Sequence, residues 1–124
     1  MSKTILVIED EPTMREILEA ELTASGYRIV TAANGAEGIQ RLQDIEPDLI
    51  ICDRAMPVMS GYQLLERIRG AYPQYNALPF IFLTALDDER DRNSVAHLEP
   101  AAYLKKPIEF EVLHETIRRT LAAR

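Results

Sequence analysis

The sequence predicts an α/β fold, with five strands and five helices in strict alternation forming a parallel sheet covered on both sides. Two observations lead there. The apolar blocks Ile5-Leu6-Val7-Ile8, Ile29-Val30, Leu49-Ile50-Ile51 and Phe80-Ile81-Phe82-Leu83 are short, β-branched or aromatic, and lack polar alternation, as strands buried on both faces should. Helix-length segments separate them, and such alternation implies right-handed βαβ crossovers.

After the first block, Pro12 suits a first helical turn, and Met14, Ile17, Leu18 and Leu22 recur at helical spacing until Ser25-Gly26. A second helix starts after Asn34-Gly35, carries Ile39 and Leu42, and ends before Pro47. Ser60 with Gln63 has the form of a capping box. Tyr62, Leu65, Ile68 and Arg69 follow, and Gly70 and Pro73 are expected to close this third helix. The fourth, Asp87 to about Leu98, is charge-rich with only Val95, Ala96 and Leu98 to bury, so it should be the most weakly anchored. Ala102-Tyr103-Leu104 is the poorest strand signal. Phe110, Leu113, Ile117 and Leu121 mark a clear final helix.

The 124 residues, 47% hydrophobic and 27% charged, fit one compact domain with a real core. Fourteen basic against 20 acidic residues give a net charge of -6, which disfavours direct nucleic-acid binding. The lone Cys52 allows no internal disulfide. The start shows no basic leader, and no apolar run is long enough for a membrane span, so a soluble cytoplasmic protein is expected.

In a sheet of this kind the functional crevice lies outside the carboxyl ends of the strands. Glu9-Asp10-Glu11, Asp53, Thr84 and Lys106-Pro107 all fall there. Facing carboxylates repel unless a hard cation neutralises them, and so few protein ligands favour Mg²⁺, which in turn implies a phosphate. A carboxylate can itself accept a phosphoryl group, and Asp53, at the end of the central apolar strand, is the candidate. Lys106 would supply charge and Thr84 a hydrogen bond to the phosphoryl oxygens.

Val7-Ile8-Glu9-Asp10-Glu11, Asp53-Arg54-Ala55-Met56-Pro57 with Gly61, Thr84-Ala85 and Lys106-Pro107 form an ordered set. With these motifs the chain resembles the receiver domain of two-component response regulators over essentially its whole length. The resemblance implies a flavodoxin-like (βα)5 three-layer sandwich with strand order 2-1-3-4-5. Residues 1–124 would be one receiver domain with no output domain. It further implies Asp53 as phosphoacceptor and Asp10, Asp53 and the Ala55 carbonyl as Mg²⁺ ligands, with Glu9 acting through water and Mn²⁺ able to substitute. Thr84 and Tyr103 match the switch pair, and Lys106 the phosphoryl-contacting lysine, whose bond to Pro107 is often cis. The implied donor is a histidine kinase or histidine phosphotransfer protein. The implied output is a stand-alone, phosphorylation-switched surface on helix 4, strand 5 and helix 5 that binds a downstream effector protein. The chain would be a monomer or a phosphorylation-dependent dimer.

Other readings of the same residues are weaker. A flavodoxin-type electron carrier would want a Ser/Thr/Gly-rich first loop rather than Glu9-Asp10-Glu11-Pro12, and a phosphohydrolase a second acid where Ala55 stands. A constitutive interaction module would not need the full pocket. Cys52 reads as core filler, Lys105 as surface, and His97 and His114 as ordinary surface or boundary residues. The stretch His97-Leu98-Glu99-Pro100-Ala101-Ala102 departs from the family pattern. Pro100 is expected to stop the fourth helix without a left-handed glycine cap. Ala55 and Leu86 flank the pocket, and Ala55 leaves the approach to Asp53 open.

Overall fold

The computed structural model describes residues 2–75, 77–85 and 89–123. The elements are β1 (Thr4–Ile8), α1 (Pro12–Ala24), β2 (Arg28–Ala32), α2 (Gly35–Asp44), β3 (Leu49–Asp53), α3 (Gly61–Ala71), β4 (Phe80–Thr84), α4 (Glu89–Val95), β5 (Ala102–Lys105) and α5 (Phe110–Ala122). Short 3₁₀ turns lie at Pro73–Tyr75 and Ala96–Leu98. The strands pair in parallel in the order β2-β1-β3-β4-β5, the flavodoxin-like arrangement implied by the motifs.

Because side chains alternate along a strand, the sheet feeds two cores. Leu6, Ile8, Ile50, Cys52, Phe80 and Phe82 pack with Leu42, Leu64, Leu65, Ile68 and Val95 from α2, α3 and α4. Ile5, Val7, Leu49, Ile51, Ile81 and Leu83 pack with Leu18, Leu22, Leu113 and Ile117 from α1 and α5. Every residue of β3 and β4 is buried. The Ile29-Val30 block is different: β2 is an edge strand, and these two side chains are only half-buried.

Helix ends show how local chemistry aims the chain. Glu11 caps α1, its carboxylate accepting from the Thr13 N–H at 3.2 Å and the Met14 N–H at 2.6 Å. Asn34 caps α2 through the Glu37 N–H, and the Ser60–Gln63 capping box is present on α3. Gly70 does not close α3, which continues through it to Ala71. Ala96 is exposed rather than buried, and Asp87 lies outside the described residues.

The end of the α4 segment corrects the expectation about Pro100. A left-handed cap is present after all, formed by Glu99 at φ 54°, ψ 55°, with its N–H bonded to the Ala96 carbonyl. Proline constrains the backbone after the cap, but the reversal still requires a left-handed residue, here one with a side chain. Arg69 of α3 braces this corner by donating to the carbonyls of Leu98 (3.1 Å), Tyr75 (3.0 Å) and Leu78 (2.9 Å).

Candidate functional site

Parallel register brings the predicted residues to one edge. Asp53 ends β3, Thr84 ends β4, Glu9 and Asp10 directly follow β1, and Lys106 directly follows β5. The loop leaving Asp53 is shaped by two backbone bonds, Arg54 N–H to the Leu83 carbonyl and Gly61 N–H to the Arg54 carbonyl. A side chain at position 61 would put its Cβ 2.5 Å from the Asp53 carbonyl oxygen and 3.0 Å from the Phe82 ring, so the close approach requires glycine.

Lys106 Nζ lies 2.9 Å from Glu9 Oε1 and 3.3 Å from Asp53 Oδ2. Glu9, Asp10 and Asp53 each offer one carboxylate oxygen within 4.8 Å of the others. Glu9 is 1% exposed, and its Oε2 is buried with no hydrogen-bond partner among the described residues. Burial pushes the Glu9 carboxyl up to about 7; the neighbouring Asp53 adds to this and Lys106 opposes it. Burial, then Asp53, also raises Asp10. For Lys106, burial would lower the ammonium, but Glu9 and Asp53 outweigh it and the net shift is upward.

Among the described residues, Lys106 is ion-paired with two of the three clustered carboxyl groups, and one buried carboxylate oxygen lacks a partner. An all-oxygen donor set with this charge imbalance fits a hard divalent cation such as Mg²⁺.

The other predicted residues fall around this cluster. Thr84 is 1% exposed, and its carbonyl accepts from the Lys106 N–H. Ala55 is exposed, its amide 3.4 Å from Asp53 Oδ1. Tyr103 is half-buried. Its ring meets Phe82 at a centroid distance of 5.7 Å, and its hydroxyl is buried without a hydrogen-bond partner among the described residues. The Lys106–Pro107 bond is cis. Glu11, although adjacent in sequence, serves α1 instead of the cluster.

Lys105 is exposed, and Leu86 lies outside the described residues. Cys52 is wholly buried, and burial with the Asp53 charge holds its thiol well above the usual range, as suits inert core filler. His97 is exposed, and His114 pairs with Glu21 across α5 and α1 at 3.1 Å. Arg92, whose guanidinium lies over the Tyr103 ring, was not marked by any sequence signal; in a charge-rich helix it resembles every other solvated residue. Arg69 sits on the apolar face of α3, four residues after Leu65, a placement that hinted at burial but not at three backbone carbonyls.

The response regulator receiver domain family matches residues 5–118. The chain belongs to that family. It is 39% identical to the transcriptional regulatory protein AfsQ1 of Streptomyces coelicolor over 95% of its own length and 51% of that protein's. The chain thus spans about half the length of the curated relatives it matches. Among solved structures, chemotaxis response regulator CheY4 of Vibrio cholerae superposes with a TM-score of 0.90 at 28% identity, covering 97% of this chain and 99% of that one. TrrA of Thermotoga maritima, solved in complex with Mg²⁺-BeF, gives 0.83 at 34% identity, covering 95% and 98%.

As a receiver domain the chain is a signalling switch of two-component systems rather than an ordinary enzyme, and phosphorylation and Mg²⁺ binding at an acidic pocket are general to the family. Among the described residues, no helix is long and apolar enough to cross a membrane.

Proposed function

We propose that Asp53 accepts a phosphoryl group from a histidine kinase or histidine phosphotransfer protein. The observation that carries this reading is the Lys106 ammonium seated on Asp53 and Glu9 while Glu9 Oε2 is buried and unpartnered among the described residues. Asp10, Asp53, the Ala55 carbonyl and, through water, Glu9 would hold Mg²⁺, and the same oxygen donors would accept Mn²⁺. The cation, when bound, supplies charge neutralisation for the phosphoryl oxygens.

Asp53 offers a carboxylate oxygen to phosphorus, the phosphorus–nitrogen bond of the donor breaks, and the leaving imidazole takes up a proton. Lys106 then exchanges part of its contact with Asp53 for a phosphoryl oxygen. Thr84 turns its hydroxyl toward the same group, and Tyr103 occupies the space beneath.

The output is read by a separate effector protein on α4, β5 and α5, with the receiver acting alone in the cytoplasm as a monomer or a phosphorylation-dependent dimer. Supporting the β5–α5 part of this surface is a groove of ≈ 680 Å³ beside the edge strand, lined by Tyr103, Leu104, Val112 and Arg119 among others.

Incubation with acetyl phosphate and Mg²⁺, followed by intact mass measurement, should add one phosphoryl group to the wild-type chain and none to Asp53→Asn. Equal addition to both would refute the assignment.

A further inference from the structure

We propose that Arg92 of α4 is a positioning residue for Tyr103, a clamp that holds the ring inward and ties the placement of α4 to the rotamer of that tyrosine. The inference rests on reading Tyr103 as the switch aromatic.

The Tyr103 hydroxyl is buried and has no hydrogen-bond partner among the described residues, although a buried tyrosine ordinarily finds one. Turning outward would return that hydroxyl to water. Contacts to the ring must therefore offset the loss, and two are in place. Phe82 meets it in a tilted arrangement, with centroids 5.7 Å apart and planes at 59°. The Arg92 guanidinium carbon stands 5.7 Å from the ring centroid, within the range of a cation–π contact. Guanidinium is planar and weakly hydrated, which suits it to cover an aromatic face at the protein surface.

Phe82 is fixed, being fully buried in β4 and packed against Phe80 at 4.9 Å. Arg92 belongs to α4, whose described side chains at positions 92 to 94 are exposed. Val95, three residues on, is the buried side chain of α4 among the described residues, and it joins the same core as Phe82 and Tyr103. The far end of the segment is held separately by the Arg69 bond to the Leu98 carbonyl. The α4 segment thus has a braced carboxyl end and, mid-helix at Arg92, a contact to the Tyr103 ring. Because coupling is reciprocal, an inward ring favours the present seat of α4, and that seat favours an inward ring.

A contact of this kind shifts a two-state ring equilibrium by about fivefold. The consequence is that the resting protein is biased toward the inward arrangement before any phosphoryl group arrives. The surface shown by α4 is then tied to Tyr103 through this side chain as well as through the core that Val95 and Tyr103 share.

The test uses the full chain, unphosphorylated, with 3-fluorotyrosine incorporated and the Tyr103 signal assigned by its loss in Tyr103→Phe. Fluorine NMR should show Arg92→Gln moving the inward-to-outward ratio about fivefold toward outward. Arg92→Lys, which keeps a cation without the planar stack, should lie between. Arg92 is exposed, so far-UV circular dichroism should be unchanged.

An unaltered ratio in Arg92→Gln would overturn the proposal, as would Arg92→Lys behaving identically to Arg92→Gln. The mass assay on the wild-type chain reports Asp53 chemistry independently. A failure there removes the proposed function, while the ring ratio still judges the clamp.

Discussion

At Glu9, burial opposes charge. The side chain is 1% exposed, one oxygen is paired with Lys106 and the other with nothing among the described residues, and its carboxyl is pushed up to about 7 against an ordinary 4.5. The folded protein therefore holds this proton more tightly than the unfolded chain, and the metal-free fold should lose stability as the pH rises through that interval. A divalent cation held by this cluster, as proposed, would compete with the same proton. Mg²⁺ should consequently raise the midpoint of thermal unfolding more at pH 8 than at pH 5.5, measured against EDTA; an equal shift at both would contradict the picture. Gly61 makes a steric prediction. A methyl there meets the Asp53 carbonyl oxygen and the Arg54 Cα, neither of which is a flexible side-chain end, so Gly61→Ala should cost about 1–3 kcal/mol in urea unfolding. The same displacement should slow labelling of Asp53 by acetyl phosphate. The sequence marked Glu9, Asp10, Asp53 and Lys106 because they fall at strand ends. It grouped Glu11 with them, although an acidic residue at a helix start serves a cap as readily as a cluster.

Among the elements, α1, α2, α3 and α5 were legible because each announces itself by a cap or an apolar stripe that matches the helical period. The α4 segment was legible only as weak. Its end shows why: a proline at position 100 suggested a plain stop, whereas the chain reverses through a left-handed Glu99. That conformation crowds a Cβ against its own carbonyl, and Glu99→Gly should stabilise the protein by about 1 kcal/mol. The expected sign is a higher urea midpoint at unchanged slope. A lower midpoint would show that the Glu99 charge near Arg69 matters more than the backbone.

For the molecule as a whole, burial grades from centre to edge. β3 and β4 are buried throughout and β1 nearly so, β2 and β5 are half-covered, and α4 buries Val95. Hydrogen exchange should follow this order, with the amides of β1, β3 and β4 slowest and those of α4 the fastest of the described helices. Uniform protection would argue against α4 as the element free to move. The sequence by itself determined the alternation of elements, the two-faced burial of the central strands and the identity of the acidic cluster, because period, caps and strand ends are local properties of the chain. Only the tertiary structure decided that Ile29-Val30 lie on an edge, that Arg69 ties three carbonyls together and that Arg92 covers Tyr103. Each of these depends on which distant segment arrives alongside, and nothing within a helical turn or a single strand encodes that arrival.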